Sequence, residues 1–562
     1  MSDYIVECLI ERHVTDVFGI PGGVILELIY AFHRRKEVIT PHLSYHEQAA
    51  GFAACGYAQS SGLLGVAYAT RGPGFTNLIT AIADAYCDSI PTLFITAHAS
   101  PQQVCNMRVM TDQEIDTCSM VRNITKYAKR IDDILDAPIA LNEACDIAMT
   151  GRKGPVFIDI AADLFNKEIE VAGQIQEAIL ANNQISDIVK SVVKSICTSK
   201  RPVILIGDGV NQVRLSEKFR KFIAKANIPV LSSRYSHDII GDSEYYYGYV
   251  GSHGIRAANF ILAKTDLIVS IGNRLCFPVN SDSFRNITSR AKIIRFDIDE
   301  TEFERVIPNS LNYNMDITPL LSVLADITYD YGNHSEWLET CNILKEHLRN
   351  EDVCLGIVSI ADILKSVSSD VIIVNDVGNN EFMVSRACIF SACGNRVLYS
   401  KSFGALGCAL GKSIGAYYAK RKPVLCFVGD QGLQINIQEL QFIAQHCLPI
   451  TIVLINNNAS AMIKDRERIM FDGEYVHTTK ESGYRTPNFQ KIVEGYGIPF
   501  YLLTRESMVT IKRKLRSFES PSFIELVIEE DNALNPNLPK GRPCQDLEPQ
   551  ILREKFDYLN NL

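Results

Sequence analysis

The sequence predicts an α/β protein made of three doubly wound parallel-sheet domains. Short apolar runs rich in β-branched residues alternate with alanine-rich helical stretches along the chain. Such runs are typical of parallel strands covered on both faces by helices. The chain has 562 residues, more than one hydrophobic core supports, and polar stretches divide it into three units. The first and third units share one alternation pattern, as two related folds would.

The first predicted domain covers residues 1–166. It contains four strand-like runs separated by helical stretches, which indicates a parallel sheet. The strands are predicted at Asp16–Ile20, Gly65–Ala69, Thr92–Thr96 and Pro155–Ile160, and one helix at Glu47–Gln59. A polar segment at about 166–186 has no buried-strand pattern and is predicted to be a linker.

The middle and third domains are predicted at residues 187–331 and 353–532. Their predicted strands are Pro202–Gly207, Pro229–Leu231, Leu267–Gly272 and Lys292–Asp299, then Val371–Asn375, Val424–Val428, Ile450–Ile455 and Ser522–Ile528. A polar, charged stretch at about 332–352 leads into the third domain. Residues 533–562, rich in proline, asparagine and aspartate, are predicted to form an extended C-terminal arm.

Composition excludes several classes of function. Hydrophobic residues make up 47% and charged residues 22% of the chain, as in ordinary globular proteins. The net charge of −9 offers no electrostatic basis for binding nucleic acid or an anionic membrane, and no apolar run approaches a membrane span. The sixteen cysteines are scattered without a C-x-x-C pair, which argues against a zinc ribbon or redox pair. We expect a reducing, cytoplasmic location.

Two oxygen-bearing side chains follow neighbouring strands of the third domain. Asp430 ends the run Val424–Gly429, and Asn457 follows Ile450–Ile455, with a helix predicted between them at Asn436–His446. Ligands of such sheets lie beyond the carboxyl ends of the strands. Hard oxygen ligands that leave room for phosphate oxygens suit Mg²⁺. Each residue alone also fits a plain loop; together they favour a metal–diphosphate site.

Glu47 is the second candidate. It lies where a strand end passes into an alanine- and glycine-rich helix. The small residues of that helix, Ala49 to Ala54, would let another chain or a cofactor ring approach closely. A glutamate in the first turn of a helix also stabilises the helix dipole, and that structural role is the alternative for Glu47.

These motifs together resemble the thiamine diphosphate (ThDP) enzymes. Asp430 to Asn457 is similar to the Gly-Asp-Gly…Asn-Asn signature, with Gln431 in place of the third-position glycine and Gly432 after it. The resemblance implies Mg²⁺ bound by Asp430, Asn457 and the backbone carbonyl of Ala459. It also implies that Glu47, within His-Glu-Gln-Ala-Ala-Gly, hydrogen-bonds N1′ of the aminopyrimidine and favours the tautomer that takes the proton of thiazolium C2.

Three further segments resemble ThDP-enzyme motifs. The string Gly72–Asn77 is similar to the family's G-P-G-x-x-N turn, whose implied role is to shape the subunit contact and the pocket wall. The segment after Val371–Asn375 implies diphosphate contacts from Gly378, Asn379 and Asn380. The string Ser402–Gly407 implies that the carbonyl of Gly404 accepts from the 4′-amino group and that Leu406 bends the cofactor into a V. Without the surrounding glycines, Leu406 would be an ordinary core leucine.

Within this family the chain is most similar to the acetohydroxyacid (acetolactate) synthase branch. The string Gly22–Ile25 and the segment Asp112–Asp116 match that branch, and the latter implies an active-site amide at Gln113. The string Gly248–Gly254 resembles a loop that binds FAD. The resemblance implies flavin contacts in the middle domain from Gly251, His253, Gly254, Arg274 and Asp297.

Three departures from that branch concern the acceptor substrate. The phenylalanine before Gln113 is Asp112, a glutamine of the first domain is His98, and the tryptophan that narrows the acceptor pocket is Arg466. Hydrogen-bonding and cationic groups suit a polyhydroxylated or phosphorylated acceptor. The alternative is that Arg466 and its charged neighbours form a solvated helix face.

The sequence therefore predicts a ThDP- and Mg²⁺-dependent carboligase that decarboxylates pyruvate and passes the two-carbon unit to a carbonyl acceptor. The polar departures favour a keto-deoxysugar nucleotide, as in the yersiniose-type branched-sugar carboligases. The alternatives are an acetolactate synthase, with pyruvate as acceptor, and a flavin oxidoreductase of the pyruvate oxidase type. The resemblance implies a homodimer or homotetramer with active sites at the subunit interface.

Overall fold

The computed structural model describes residues 1–100, 111–169, 185–212, 215–276, 287, 289–351, 353–528 and 535–562. The chain divides into two compact units. The first comprises residues 1–176, 370–381 and 397–529 and contains two sheets; the second comprises residues 177–369, 382–396 and 530–562 and contains one. Each of the three sheets has six parallel strands in the described residues, which confirms the predicted fold class.

The N-terminal sheet has the strand order β2-β1-β3-β4-β6-β5. Its strands are β1 (Asp16–Gly19), β2 (Thr40–Leu43), β3 (Gly65–Tyr68), β4 (Thr92–His98), β5 (Tyr127–Ile131) and β6 (Val156–Ala161). Its helices are Ser2–Glu11, Leu26–Arg34, Glu47–Ser61, Pro73–Cys87, Thr117–Val121 and Ala137–Met149. The strands β1, β3, β4 and β6 are completely buried, as expected of strands with helices on both faces.

The middle sheet has the order β12-β11-β10-β7-β8-β9. Its strands are β7 (Pro202–Ile206), β8 (Val230–Ser232), β9 (Tyr246–Tyr249), β10 (Leu267–Ile271), β11 (Lys292–Asp297) and β12 (Ser310–Asn314). The helices of this unit are Ile185–Thr198, Gly209–Gln212, Ser216–Ala226, Arg256–Lys264, Ile317–Asp326, Ser335–Leu348, Leu355–Leu364 and Arg553–Asn561. After β7, the strands β8 and β9 are added towards one edge of the sheet, and β10 to β12 are added towards the other edge. The position between β7 and β10 is therefore a topological switch point, where nucleotides bind in such folds.

The C-terminal sheet has the order β14-β13-β15-β16-β18-β17, which repeats the order of the N-terminal sheet. Its strands are β13 (Ile372–Asn375), β14 (Val397–Leu398), β15 (Val424–Gly429), β16 (Ile450–Asn456), β17 (Phe500–Leu502) and β18 (Ser522–Val527). The helices of this region are Asn379–Ser391, Ala409–Lys420, Asp430–Ile435, Glu439–Gln445, Ala461–Met470, Phe489–Gly495 and Met508–Ser517. The common alternation of the first and third units thus reflects one shared topology.

Two helices of the first unit pack together through glycines. A methyl group at Gly415 would lie 1.8 Å from the Ala53 carbonyl oxygen, and one at Gly56 would lie 2.2 Å from the Lys412 carbonyl oxygen. No side chain fits at these positions, so the backbones of Glu47–Ser61 and Ala409–Lys420 touch. The small residues after Glu47 were predicted to admit another chain or a cofactor; in this structure they admit a helix of the same chain.

The structure corrects several elements. The polar stretch 332–352 contains the helix Ser335–Leu348, because its apolar residues recur on one face and are buried: Trp337, Cys341, Leu344 and Leu348. The C-terminal arm ends in the helix Arg553–Asn561 rather than remaining extended. The helix predicted at 436–446 is shorter, at Glu439–Gln445. Five short strands escaped prediction, namely β5, β9, β12, β14 and β17, and the strand end expected before Glu47 is that of β2.

Much of the first linker, residues 170–184, and the predicted boundary at 532–533 lie outside the described residues. The helix Ile185–Thr198 begins within the segment that was predicted to be a linker. Among the residues that the structure describes, no helix is long and apolar enough to cross a membrane.

Candidate active site

The carboxyl ends of β13, β15 and β16 lie side by side and carry the polar residues of the third domain. Asn375 of β13 pairs with Phe427 of β15, and Gly429 of β15 pairs with Ile455 of β16. This register brings the residues that follow each strand, Asp376, Asp430 and Asn457, to one edge of the sheet. The switch point of this sheet lies between β13 and β15, where a ligand is expected.

Asp430 is 3% exposed, and burial raises the pKa of its carboxyl group to about 6. Its Oδ1 oxygen accepts from the backbone amide of Gln431 at 2.8 Å. Its Oδ2 oxygen is buried without a well-formed hydrogen bond in the described part of the chain, although the Tyr484 hydroxyl lies nearby. A buried carboxylate oxygen without a partner is costly, so this atom suits a bound cation.

The turn after β16 supplies the second half of this candidate metal site. Asn458 has a φ of +52°, and its amide donates to the Asn456 side chain at 3.0 Å. Asn457 is half-buried, and its Oδ1 oxygen accepts from the Ala459 amide at 3.3 Å. The backbone amides of Asn458 and Ala459 act on the Asp430 carboxylate, so this left-handed turn lies beside it and offers the Asn457 amide oxygen and the Ala459 carbonyl as further oxygen donors. This all-oxygen set fits Mg²⁺ held jointly with a diphosphate.

The turn after β13 is built around the buried carboxylate of Asp376. This carboxylate accepts from the amides of Val377 at 2.7 Å, Gly407 at 2.9 Å and Ala409 at 3.1 Å. Burial raises the pKa of Asp376 to about 6, although these three amides act in the opposite direction. Asp376 thus ties the turn after β13 to the start of the helix Ala409–Lys420.

The predicted diphosphate contacts lie beside Asp376, at the start of the helix Asn379–Ser391. Gly378 has a φ of +117°, which favours glycine, and Asn380 donates to Asn375 Oδ1 at 3.1 Å and to the Asp376 carbonyl at 2.9 Å. Asn379 donates to Asp465 at 2.9 Å. Backbone amides at a helix N-terminus suit a phosphate group.

Gln431 replaces the glycine of the metal-binding signature without disturbing the backbone. It has no positive φ, its side chain is exposed, and its Oε1 accepts from the Ser460 hydroxyl at 3.1 Å. It is the next residue, Gly432, that lies close to another part of the chain, since a methyl group there would be 3.2 Å from the Asp376 carboxylate. The glycine that this packing needs is therefore present, one position later.

Glu47 begins the helix Glu47–Ser61, and His46 caps that helix by accepting from the Gln48 amide at 3.1 Å. The Glu47 carboxylate is half-buried and accepts from Asn77 Nδ2 at 2.9 Å. A methyl group at Gly74 would lie 3.4 Å from Glu47 Oε1. The glycine-rich turn predicted at Gly72–Asn77 therefore borders and orients this carboxylate.

Gln113 lies against the same turn. A side chain at Gly72 would meet the Gln113 carbonyl oxygen at 2.5 Å, and Gln113 itself has a φ of +60°. The neighbouring Glu114 is buried and anchors this strained position, because it accepts from the Ala99 amide at 2.8 Å. Non-glycine residues in such conformations cluster at functional sites. The structure thus gathers Glu47, Gly72 and Gln113 at one place.

The segment Ser402–Gly407 carries the two predicted cofactor-shaping residues. Gly404 is exposed and has a φ of +69°, and Leu406 is partly exposed although it lies among buried residues. An ordinary core leucine would be fully buried. The exposure of Leu406 therefore favours the predicted role of an apolar surface offered to a ligand.

The three acceptor candidates have different surroundings. His98 is 1% exposed, with its Nε2 3.0 Å from Asp132 Oδ1 and its Nδ1 3.5 Å from Asp159 Oδ2. Asp112 and Arg466 are exposed. His98 is thus held between two carboxylates and offers little surface, so direct substrate contact fits Asp112 and Arg466 better.

The helix that carries Arg466 is not a uniformly solvated face. Asp465 is buried against Asn379, and Glu467 accepts from the Val476 amide at 3.0 Å and from the Thr478 hydroxyl at 2.5 Å. These bonds fix the helix Ala461–Met470 and leave Arg466 projecting from it.

In the middle unit, the predicted flavin loop is well ordered. Gly254 donates to the Gly251 carbonyl at 2.9 Å, and the Asn259 side chain bonds both the amide and the carbonyl of Gly251. The His253 ring lies 3.0 Å from the Pro536 carbonyl oxygen. A side chain at Gly254 would meet the Gly251 amide at 2.5 Å, so this tight turn requires glycine.

The other two predicted flavin residues lie at the same edge of the middle sheet. Arg274 follows β10 and pairs with Glu302 at 3.7 Å. Asp297 ends β11 and accepts from the Asp299 amide at 3.1 Å. β10, which Arg274 follows, borders the switch point where a nucleotide is expected, and β11, which Asp297 ends, is the next strand in the sheet.

Comparison with known proteins gives three consecutive family matches. The N-terminal TPP binding domain of thiamine pyrophosphate enzymes matches residues 1–120, their central domain matches 189–324 and their C-terminal TPP binding domain matches 376–526. The chain is 31% identical to the acetolactate synthase large subunit of Lactococcus lactis, over 96% of this chain and 94% of that protein. The chain belongs to the thiamine pyrophosphate enzyme family.

Two further relatives of this thiamine pyrophosphate enzyme carry the same description. The acetolactate synthase large subunit of Corynebacterium glutamicum is 31% identical, with 98% of this chain and 91% of that protein covered. The acetolactate synthase isozyme 2 large subunit of Escherichia coli is 29% identical, with 96% and 97% covered. The similarity thus extends over all three domains, and the chain is a ThDP-dependent enzyme.

Sequence reasoning missed several residues of this thiamine pyrophosphate enzyme's candidate site. Asp376 follows a strand just as Asp430 does, and that position was a usable signal. Tyr484 reaches Asp430 from a distant loop, and nothing in the sequence marks it. Gly207 also escaped notice: a methyl group there would lie 2.2 Å from the Gly272 carbonyl oxygen, at the switch point of the middle sheet.

Proposed function

We propose that this enzyme is a Mg²⁺- and ThDP-dependent carboligase that removes CO₂ from pyruvate and transfers the two-carbon unit to the carbonyl carbon of a second substrate. The observation that carries the proposal is the pair of half-sites in the first unit. One contains Asp430, Asn457 and Ala459, and the other contains Glu47 beside Gly72 and Gln113.

Asp430 Oδ2, Asn457 Oδ1 and the Ala459 carbonyl would hold the metal, and the turn at Gly378–Asn380 would hold the diphosphate. Bound ThDP supplies the carbon nucleophile that adds to a 2-oxo acid and holds the electrons left behind when CO₂ departs. The protein's own task is to place the groups that move protons and to exclude water.

Glu47 is the proposed proton-transfer residue. Asn77 donates to one carboxylate oxygen, while Gly74 borders the other without covering it. One oxygen thus has a hydrogen bond, and the described part of the chain gives the other none, so this second oxygen can accept a hydrogen bond from the aminopyrimidine. General acid–base catalysis by a positioned carboxyl group contributes about 10²–10⁴-fold to a rate.

The two half-sites support the proposal of a homodimer or homotetramer. Among the described residues, no hydrogen bond joins Glu47 to Asp430 or Asn457. In the proposed dimer the metal half-site of one subunit meets the Glu47 half-site of the other, so both sites form at the subunit interface. Analytical ultracentrifugation at micromolar protein, with and without Mg²⁺–ThDP, tests this; an active monomer would contradict it.

For the acceptor we propose a keto-deoxysugar nucleotide. The exposed Asp112 lies next to Gln113, and Arg466 projects from the helix that follows the Asn457 turn. Asp112 suits hydroxyl groups, and Arg466 suits the phosphates of a nucleotide. The second candidate is pyruvate itself as acceptor, which the descriptions of the relatives favour.

Incubation with ¹³C-labelled pyruvate and a panel of keto-sugar nucleotides, followed by mass detection, separates these candidates. A two-carbon adduct of a sugar nucleotide supports the proposal. Labelled acetolactate as the sole product, at the same rate with and without the sugars, would establish the second candidate instead.

We also propose FAD in the middle unit, where the glycine turns at Gly207, Gly251, Gly254 and Gly272 surround the ends of the strands. If the enzyme were instead a pyruvate oxidase-type flavoenzyme, pyruvate would bleach the flavin anaerobically at the catalytic rate. We expect the flavin absorbance to stay unchanged during turnover.

A further inference from the structure

A fully buried lysine lies at the contact between the two glycine-packed helices. Lys412 is 0% exposed, its Nζ lies 2.8 Å from Asp84 Oδ2, and it donates to the Tyr399 carbonyl at 2.8 Å. Burial acts to lower the pKa of Lys412, but Asp84 and Asp88 together hold it above its ordinary value. A lysine is rarely buried unless it is paired, so a charged group here points to a specific role.

Asp84 pairs with this lysine and Asp88 lies near enough to act on its charge, and both carboxylates bond residues of the third domain. Asp84 is 0% exposed and accepts from the Ser400 hydroxyl. Asp88 is 5% exposed and accepts from the amides of Lys401 and Ser402, both at 2.7 Å. Burial and the neighbouring Asp84 raise the pKa of Asp88 to about 6, against the opposing effect of Lys412.

The bonds continue to the residues that precede Leu406. The Ser400 hydroxyl, which donates to Asp84, accepts from the Ala405 amide at 2.8 Å. Four backbone groups between Tyr399 and Ala405 are therefore fixed by Lys412, Asp88 or Ser400. Phe403 and Gly404, which lie between these anchors, are exposed.

We infer that Lys412 is a positioning residue for cofactor activation, acting through Asp84 and Ser400 on the loop that presents the Gly404 carbonyl and Leu406. This inference rests on the proposed function, since it assumes that Gly404 and Leu406 shape bound ThDP. With ThDP bound, the position of that loop would set where Gly404 and Leu406 meet the cofactor, and small displacements of reacting groups are costly in rate.

The proposed positioning of the loop depends on the positive charge of Lys412. Without it, Asp84 loses its paired cation while Asp88 still acts on it as a second buried acid, an arrangement that favours protonation or displacement of Asp84. A protonated or displaced Asp84 no longer holds Ser400 in the geometry that accepts from Ala405. The loop then loses its anchors while the helices that flank it remain.

The first test uses the protein without cofactor. Hydrogen–deuterium exchange mass spectrometry compares wild type, Lys412→Met and the control Lys422→Met, which removes an exposed ion pair with Asp370. We expect peptides covering residues 399–406 to exchange at least tenfold faster in Lys412→Met and at the wild-type rate in Lys422→Met. Exchange unchanged in Lys412→Met would overturn the inference.

The second test loads the same proteins with Mg²⁺–ThDP and measures exchange of the thiazolium C2 proton with D₂O by quenched NMR. Lys412→Met should slow this exchange at least tenfold while the ThDP dissociation constant stays within about threefold of wild type. The double variant Lys412→Met/Asp84→Asn, which removes the unpaired charge, should regain part of the loss. Faster loop exchange with an unchanged C2 rate would also overturn the inference.

Ser400→Ala provides a variant that leaves every charge in place. It removes the hydroxyl group that links Asp84 to the Ala405 amide, so we expect faster exchange of the loop and slower exchange of the C2 proton, both smaller than in Lys412→Met. This variant keeps the inference testable even if Lys412→Met fails to fold. Unaltered loop exchange and C2 rate in Ser400→Ala would contradict the proposed path. If wild type itself neither binds ThDP nor exchanges the C2 proton, the proposed function fails, whereas the loop-exchange result stands independently.

Discussion

The N-terminal and C-terminal sheets share one strand order, yet the residues beyond their strands differ in chemistry. The C-terminal sheet ends in buried acids: Asp376 and Asp430 both have a pKa raised to about 6 by burial. The N-terminal sheet is followed by the half-buried Glu47 and a glycine turn. In the proposed mechanism one topology is thus used twice, once to hold a metal and a diphosphate and once to offer a proton-transfer group.

The comparison teaches that a carboxyl group that binds a cation and one that exchanges a proton need different degrees of burial. A carboxyl group that binds a cation gains from being enclosed, because the cation then replaces the lost water. A carboxyl group that exchanges a proton needs one fixed oxygen and one that a ligand can reach, which is what Asn77 and Gly74 provide for Glu47.

The largest effect is expected at Glu47. Glu47→Gln keeps the shape and the bond to Asn77 but removes the proton-exchanging group, so CO₂ release from pyruvate should fall by about 10²–10⁴-fold. ThDP binding, measured by fluorescence titration, should change less than about threefold. Full activity in this variant would break the proposed contrast between the two sheets.

The second-largest effect is expected for Asp430→Asn, which should weaken the binding of Mg²⁺ and ThDP rather than slow proton transfer. Replacing an outer-sphere partner of a metal site costs about 10–100-fold in affinity, and loss of a direct ligand should cost at least that. Isothermal titration with Mg²⁺ and ThDP measures the change. The matched variant Asp472→Asn, at an exposed aspartate of the same domain, should bind as wild type does.

The raised pKa of Asp430 predicts a pH dependence of binding. The metal needs the carboxylate, and in the cofactor-free protein the group is protonated below about pH 6. Mg²⁺–ThDP affinity should therefore rise as the pH increases through 6 and level off above it. Titrations between pH 5 and 8 test this; a flat profile would show that Asp430 binds no metal.

A substitution at the helix contact between the first and third domains should have a smaller effect, and only on the free energy of unfolding. Gly415→Ala places a methyl group 1.8 Å from the Ala53 carbonyl oxygen and should lower the free energy of unfolding by about 1–3 kcal/mol. The control Gly495→Ala has nothing within 4 Å of the added group. Urea denaturation of both variants provides the comparison, and equal midpoints would contradict the close packing.

The smallest effect is expected in acceptor choice. Arg466→Trp places a tryptophan where the acetolactate synthase branch has one. The ratio of kcat/KM for pyruvate to that for a sugar-nucleotide acceptor should then rise about tenfold, because the sugar nucleotide loses one charge-assisted hydrogen bond. Competition assays with both acceptors measure this ratio. An unchanged ratio would place Arg466 on a solvated surface.

Sequence patterns predicted buried strands such as β15 and β16 well because their residues are apolar on both faces and many are β-branched. The short edge strands β5, β9, β12, β14 and β17 escaped because runs of two to five residues carry too little pattern. Asp430, Asn457 and Glu47 were found because each follows or precedes a recognisable element. Tyr484 and Lys412 were not, because their partners lie far away in sequence.

By itself, the sequence determined the three-domain parallel architecture and the oxygen-rich ends of β15 and β16, because periodicity and strand-end position are local properties. Only the tertiary structure decided that Asp376 and Asp430 are buried, that glycines join two helices of the same chain, and that Lys412 pairs with Asp84. Those facts depend on which distant segments meet, and burial and charge pairing exist only once they do.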